Sequence, residues 1–151
     1  MRTLTLFVML IFSVLVSAEP LRLKVTPING QQVISYVKDE WYFVAKESNY
    51  NVYIAKGELE ESNGMLIIQS MTEFDNYETY SYMEKPVKRI FSYGALSCEQ
   101  KKMYLLGSMY SADDNTVQFV QYHDFGEWIS ELDRNGTARN EVWKIVCNKS
   151  V

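Results

Sequence analysis

The sequence predicts an α+β protein that is mainly β: an antiparallel meander sheet of about six strands with one C-terminal helix. Three observations predict it. Short runs rich in aromatic and β-branched residues recur along the chain, set off by turn residues. No helical segment lies between them to carry a parallel crossover, so consecutive strands must pair antiparallel. Only near the end does the period change, with Val142, Ile145 and Val146 at i, i+3 and i+4.

Each element has its own signal. Trp41-Tyr42-Phe43-Val44-Ala45 reads as a strand, Ser48-Asn49 as a turn, and Tyr50 to Ile54 as the next strand. Ser62-Asn63-Gly64 is the strongest hairpin signal, because Asn-Gly tolerates the left-handed backbone of a type I′ turn. Met65 to Met71 follows as a buried strand. Thr79-Tyr80-Ser81-Tyr82-Met83, alternating hydroxyl and large side chains, reads as a half-exposed one. Pro86 interrupts before Lys88-Arg89-Ile90-Phe91-Ser92-Tyr93. Met103 to Tyr110 is a further strand. Asp113-Asp114-Asn115 turns it into Val117 to Tyr122, where Val117, Phe119 and Gln121 fall on one face. Thr137 is the N-cap candidate for the terminal helix, and a strand over Val142-Trp143-Lys144-Ile145-Val146 is the rival reading. The opening segment, with Pro20, Pro27 and Asn29-Gly30, reads equally as a short strand or a short helix.

Residues 1–18 read as a secretory signal peptide: Arg2 supplies the positive start, Leu4 to Val16 the apolar run, and Val16-Ser17-Ala18 the small-residue cleavage site. That run is too short to span a bilayer comfortably, and no later stretch is apolar enough, so no integral membrane segment is expected after signal removal. What remains is one domain's worth of chain. Loss of Arg2 makes it one charge more acidic than the formal −4 of the whole sequence. An acidic chain is a poor match for phosphates, so no nucleic-acid partner is expected.

The two cysteines, Cys98 and Cys147, both lie in the exported part, and an even count in an oxidising compartment favours a disulfide. It would close a loop of about fifty residues, with a ceiling of roughly 4 kcal/mol from loop entropy. With the cysteines oxidised and a single histidine, His123, a zinc site lacks ligands. Asp124 follows His123 but points to the opposite face of a strand, so a surface strand-end histidine is the plainer reading than a general base. Asp124 and Glu127 are carboxylate candidates only because they sit among aromatics, and acidic surface loops look the same. The chain is expected to have no catalytic residues, no metal and no cofactor.

A set of these features carries a resemblance. Trp41 opens a strand, Tyr53 precedes a turn, and Phe91-Ser92-Tyr93-Gly94-Ala95-Leu96-Ser97-Cys98 ends one strand on a cysteine. Trp128-Ile129-Ser130 and Trp143-Lys144-Ile145-Val146-Cys147 follow. That order resembles the bacterial surface-adhesin protein E-like family over roughly Trp41 to Cys147. The resemblance implies an antiparallel sheet with the C-terminal helix tied to it by the two cysteines. It divides the chain into signal 1–18, an N-terminal segment 19–40 and an adhesin-like domain 41–151. It also implies homodimerisation and attachment to host matrix or plasma proteins. The named adhesin resembles a lipoprotein anchored through a cysteine just after its signal, whereas here Glu19 follows the cleavage site and no cysteine precedes Cys98. A periplasmic or secreted protein is therefore the expectation.

Two non-catalytic functions follow. The first is a protein-binding module using Tyr77, Tyr80 and Tyr82 with Lys85, Lys88 and Arg89, the most basic short stretch of an acidic chain. Tyrosines give large contact area at low entropy cost, and the cations suit an acidic partner. The plainer reading is that these tyrosines fill one sheet face and the cations mark a solubilising edge. The second is a periplasmic inhibitor or immunity-type protein that caps a toxic enzyme. Trp41, Trp128 and Trp143 are expected to be packing residues.

Overall fold

In the computed structural model, the described residues are 23–57, 59–129 and 136–148, with residues 123–129 described by their backbone alone. Sheet-forming residues dominate, and the meander is present. β3 (Trp41–Lys46), β4 (Tyr50–Ala55), β6 (Met65–Glu78), β7 (Val87–Ser97), β8 (Lys102–Ser111) and β9 (Val117–Ile129) lie side by side in chain order, every pair antiparallel. The short β5 (Glu60–Ser62) makes the sheet seven-stranded by pairing with the part of β6 that β4 leaves free. Asn63 and Gly64, at φ of 53° and 75°, close the β5–β6 hairpin with the left-handed turn that Asn-Gly favours.

The opening segment is a hairpin, β1 (Leu23–Ile28) with β2 (Gln31–Tyr36), closed by Asn29-Gly30, again with positive φ at both turn residues. It lies on one face of the sheet. Leu23 and Ile34 bury there against Trp41, Met71 and Phe91. The register explains why these large side chains meet: Met71 stands opposite Tyr53 on one side and Phe91 on the other, and Phe91 opposite Met109. Tyr36 sets its ring edge-on to both Trp41 and Phe91, at 6.5 and 5.3 Å between centroids. Trp41 is thus a core residue.

The opposite face carries α1 (Ala138–Asn148). Val142 and Val146 are buried against Val52, Ile54, Ile68, Leu96 and Met103, and Ile145 and Trp143 pack beside them. The helix reading of this segment holds over the strand reading, because at 3.6 residues per turn residues four apart share a face, which brings Val142 and Val146 onto one buried line. Both ends of α1 are fastened. At its start, Thr137 Oγ1 accepts from the Asn140 N–H at 3.3 Å, and Glu47 Oε1, from the β3–β4 turn, accepts from the Ala138 N–H at 2.8 Å. At its end, Cys147 is bonded to Cys98, one residue past β7, with a sequence separation of 49.

Two local expectations are corrected. Thr79 to Met83 is not a strand. β6 already ends at Glu78, paired with Val87, and Pro86 has no N–H to lend to a ladder, so the residues between form the β6–β7 connection. Met83 N–H closes back on Tyr80 O at 3.1 Å. Nor do Val117 and Phe119 share a face. The β8–β9 register slips by one residue at Gln118, with Ser111 opposite Val117 and Tyr110 opposite Phe119. This bulge leaves Val117 with the hairpin-side core and turns Phe119 to the other face.

The tether closes a long loop on a helix too short to persist alone. Cys147→Ser, or reduction of the native chain, is expected to lower the melting temperature by about 10 °C. Thermal circular dichroism reads this, and an unchanged transition would show the bond to be idle.

Candidate functional site

The β6–β7 connection folds over the turn between β8 and β9 and brings the singled-out residues to one end of the sheet. The turn is built locally. Asn115, at φ 62°, donates its N–H to Ala112 O at 3.0 Å, and Asp114 Oδ1 accepts from the Thr116 N–H at 3.1 Å and from the Thr116 hydroxyl. Lys85 locks the connection onto it. Its Nζ donates to Asp114 Oδ2 at 2.6 Å and to Thr116 Oγ1 at 3.2 Å, and its backbone N–H donates to Gln118 Oε1 at 3.1 Å.

The other two cations also bind their own chain. Lys88 donates to the backbone carbonyls of Phe74 and Asp75 in the irregular stretch of β6, under the Tyr77 ring at 5.5 Å. Arg89 sits on the hairpin side, its side chain only 13% exposed. Its Nε donates to Glu73 Oε1 at 3.0 Å and its Nη1 to Asn115 Oδ1 at 3.0 Å, while its guanidinium faces the Tyr36 ring at 5.7 Å. Arg89 therefore joins the hairpin, the sheet and the β8–β9 turn. The basic stretch seen in the sequence is a set of internal fastenings.

The aromatics behave differently. Tyr80 and Tyr82 project from the connection onto Tyr110 and Phe119 of the sheet. Their ring centroids lie 5.9 Å apart for Tyr80 with Tyr110 and 5.5 Å for Tyr82 with Phe119, and Tyr110 meets Phe119 at 5.8 Å. Tyr82 is 64% exposed and Phe119 38%, so the four-ring stack is an open surface. Burial raises the Tyr80 and Tyr110 hydroxyls above the ordinary phenol range. Tyr110 donates to Gln121 Oε1 at 3.3 Å. Tyr77 stands apart, its hydroxyl donating to Asp113 Oδ2 at 3.2 Å. Tyr110 and Phe119 are the site residues that the sequence reading missed. Their signal was in plain sight as large aromatics at the facing ends of two adjacent strands.

Trp143 is half-buried against the helix-side core, with Lys101 Nζ 5.1 Å from its ring centre. Trp128 lies on β9 opposite Tyr104. Its side chain, like those of His123, Asp124 and Glu127, is outside the described residues. Among the described residues no three His, Cys, Asp or Glu stand together to hold a metal ion, and no helix is long and apolar enough to cross a membrane.

The class these features define is a disulfide-tethered antiparallel sheet protein carrying an open aromatic surface. No family model matches the chain, and neither does a curated protein or a solved structure.

Two outcomes are expected from the fastenings. Arg89→Ala leaves Glu73 partly buried without its partner and should cost about 2 kcal/mol in denaturant unfolding, above the yield of a surface pair. Asp114, held at about 2 from an ordinary 3.8 by the Lys85 and Thr116 hydrogen bonds, favours its ionised form in the folded chain. Its contribution is present above pH 3.8 and is lost as pH falls toward 2. The stability difference between wild type and Asp114→Asn should therefore shrink across that range, as denaturant melts at successive pH values would show.

Proposed function

We propose that this chain is an exported, non-catalytic protein-binding module of the surface-adhesin protein E-like kind, whose contact surface is the Tyr80–Tyr82–Tyr110–Phe119 stack. The observation that carries the reading is the rigidity of exposed aromatic area. Four rings support one another on a sheet, and the loop bearing two of them is fastened by Lys85. Rigid tyrosines lose little freedom on contact, and their hydroxyls supply uncharged polar partners at the rim. The signal-like start and the disulfide support export, where thiols oxidise. The engaged cations weigh against docking through a basic patch, so the partner is read by shape and aromatic contact.

The test compares wild type with Tyr82→Ala/Phe119→Ala in pull-downs from envelope extract and host serum. Both residues are exposed, so the double variant should keep its melting temperature within a few degrees while losing at least about tenfold in capture of any partner that wild type retains. Equal capture by both proteins would remove the aromatic surface from the interface.

A further inference from the structure

The two edges of the sheet are finished differently. β3 is six residues long, carries Lys46, is broken by a bulge between Phe43 and Ala45, and is the strand that α1 packs against. These are the devices by which proteins blunt an edge. Past the bulge at Gln118, β9 has none of them over Phe119 to Tyr122, which reads F-V-Q-Y with no charge and no proline. β2 meets the chain one residue ahead of β9 at a single isolated bridge, Val33 with Thr116, where the Ile34 N–H donates to Asn115 O at 2.9 Å. Among the described residues, Phe119 to Tyr122 pair with β8 alone.

A second observation lies alongside. On the hairpin face, a groove of about 370 Å³ opens beside the same four residues, lined by Phe91, Met109 and Gly107 and flanked by Leu23, Val120 and Tyr122. Its lining side chains carry no charge. Tyr122 is 84% exposed at its rim. On the other face of the same stretch stand Phe119 and Tyr82. An extended chain lying along β9 would therefore send alternate side chains into the apolar groove and onto the aromatic stack. Backbone hydrogen bonds give such a complex its affinity, and pockets for every second side chain give it selectivity.

We infer that Phe119–Tyr122 is the docking edge for an extended segment of a partner protein, added to the sheet as a further strand. The segment has an uncharged centre with aliphatic side chains at every second position. It carries cations, if any charge, at its ends, since the receiving chain is acidic. This rests on the protein-binding reading and names the form of the partner.

The probe is an acetylated, amidated peptide of alternating valine and threonine ending in two lysines, added to the oxidised chain. Amide hydrogen exchange is followed by NMR. Exchange within Phe119–Tyr122 is expected to slow by about tenfold or more with peptide, and Val120→Lys, at a half-exposed position, should abolish the effect with the fold intact. Of two peptides N-methylated at odd or at even residues, only one should still bind, because one row of amides faces β9. Unchanged exchange at millimolar peptide overturns the inference. So does protection that appears without peptide and grows with protein concentration, which would assign the edge to a second copy. Protection confined to Tyr80 and Tyr82, lost in Tyr82→Ala but kept in Val120→Lys, also overturns the added strand, and would leave the aromatic contact surface standing. Failure of that surface reads out separately, as capture insensitive to Tyr82→Ala/Phe119→Ala.

Discussion

The fastening of α1 at both ends is the constraint on which the architecture depends. An isolated helix of eleven residues is marginal in water. Here the Glu47 carboxylate satisfies a backbone N–H at its start, and Cys147 joins its end to the residue after β7. The two anchors lie at opposite margins of the packing surface, so Val142 and Val146 have one way to meet the sheet. With the helix fixed on the β3 side, the β8–β9 side of the same face stays open, and the aromatic stack occupies it.

The hairpin plays the matching part on the other face. Ile34 and Leu23 complete a core that Trp41, Met71 and Phe91 could not close alone, and Arg89 binds hairpin, sheet and turn together. A partly buried guanidinium of this kind is tolerable because each direction offers a partner: a carboxylate, an amide oxygen and a ring face. Lys85 does the same work in the open, where solvent weakens its ion pair but a second oxygen and a backbone bond hold the geometry. Basic residues clustered in sequence were dispersed by the fold to opposite faces, each to a separate task.

Several elements were legible in the residues. Asn63-Gly64 dictated its turn, because few residue pairs accept positive φ twice. Val142 and Val146 declared a helix by their spacing. Asn29-Gly30 carried the same turn signal as Asn63-Gly64, with Val25 and Ile34 in reach on either side, yet the nearby prolines masked it. Tyr80 and Tyr82 misled in an instructive way. Their alternation does place both rings on one surface, but that surface belongs to β8 and β9, and the segment itself joins no ladder. The β9 bulge at Gln118 left no trace in the pattern, since a one-residue slip depends on the partner strand.

The sequence by itself determined the strand-forming runs, the turns at Asn-Gly pairs, the terminal helix and the two cysteines available to bridge. These are set by local dihedral preference and by side-chain period, which act within a few residues. Only the tertiary structure decided which cations would be engaged, which aromatics would stack in the open, and which sheet edge α1 would pack against. Those outcomes turn on contacts between residues tens of positions apart, such as Arg89 with Glu73 and Tyr82 with Phe119, and such contacts exist only once register and packing have been chosen.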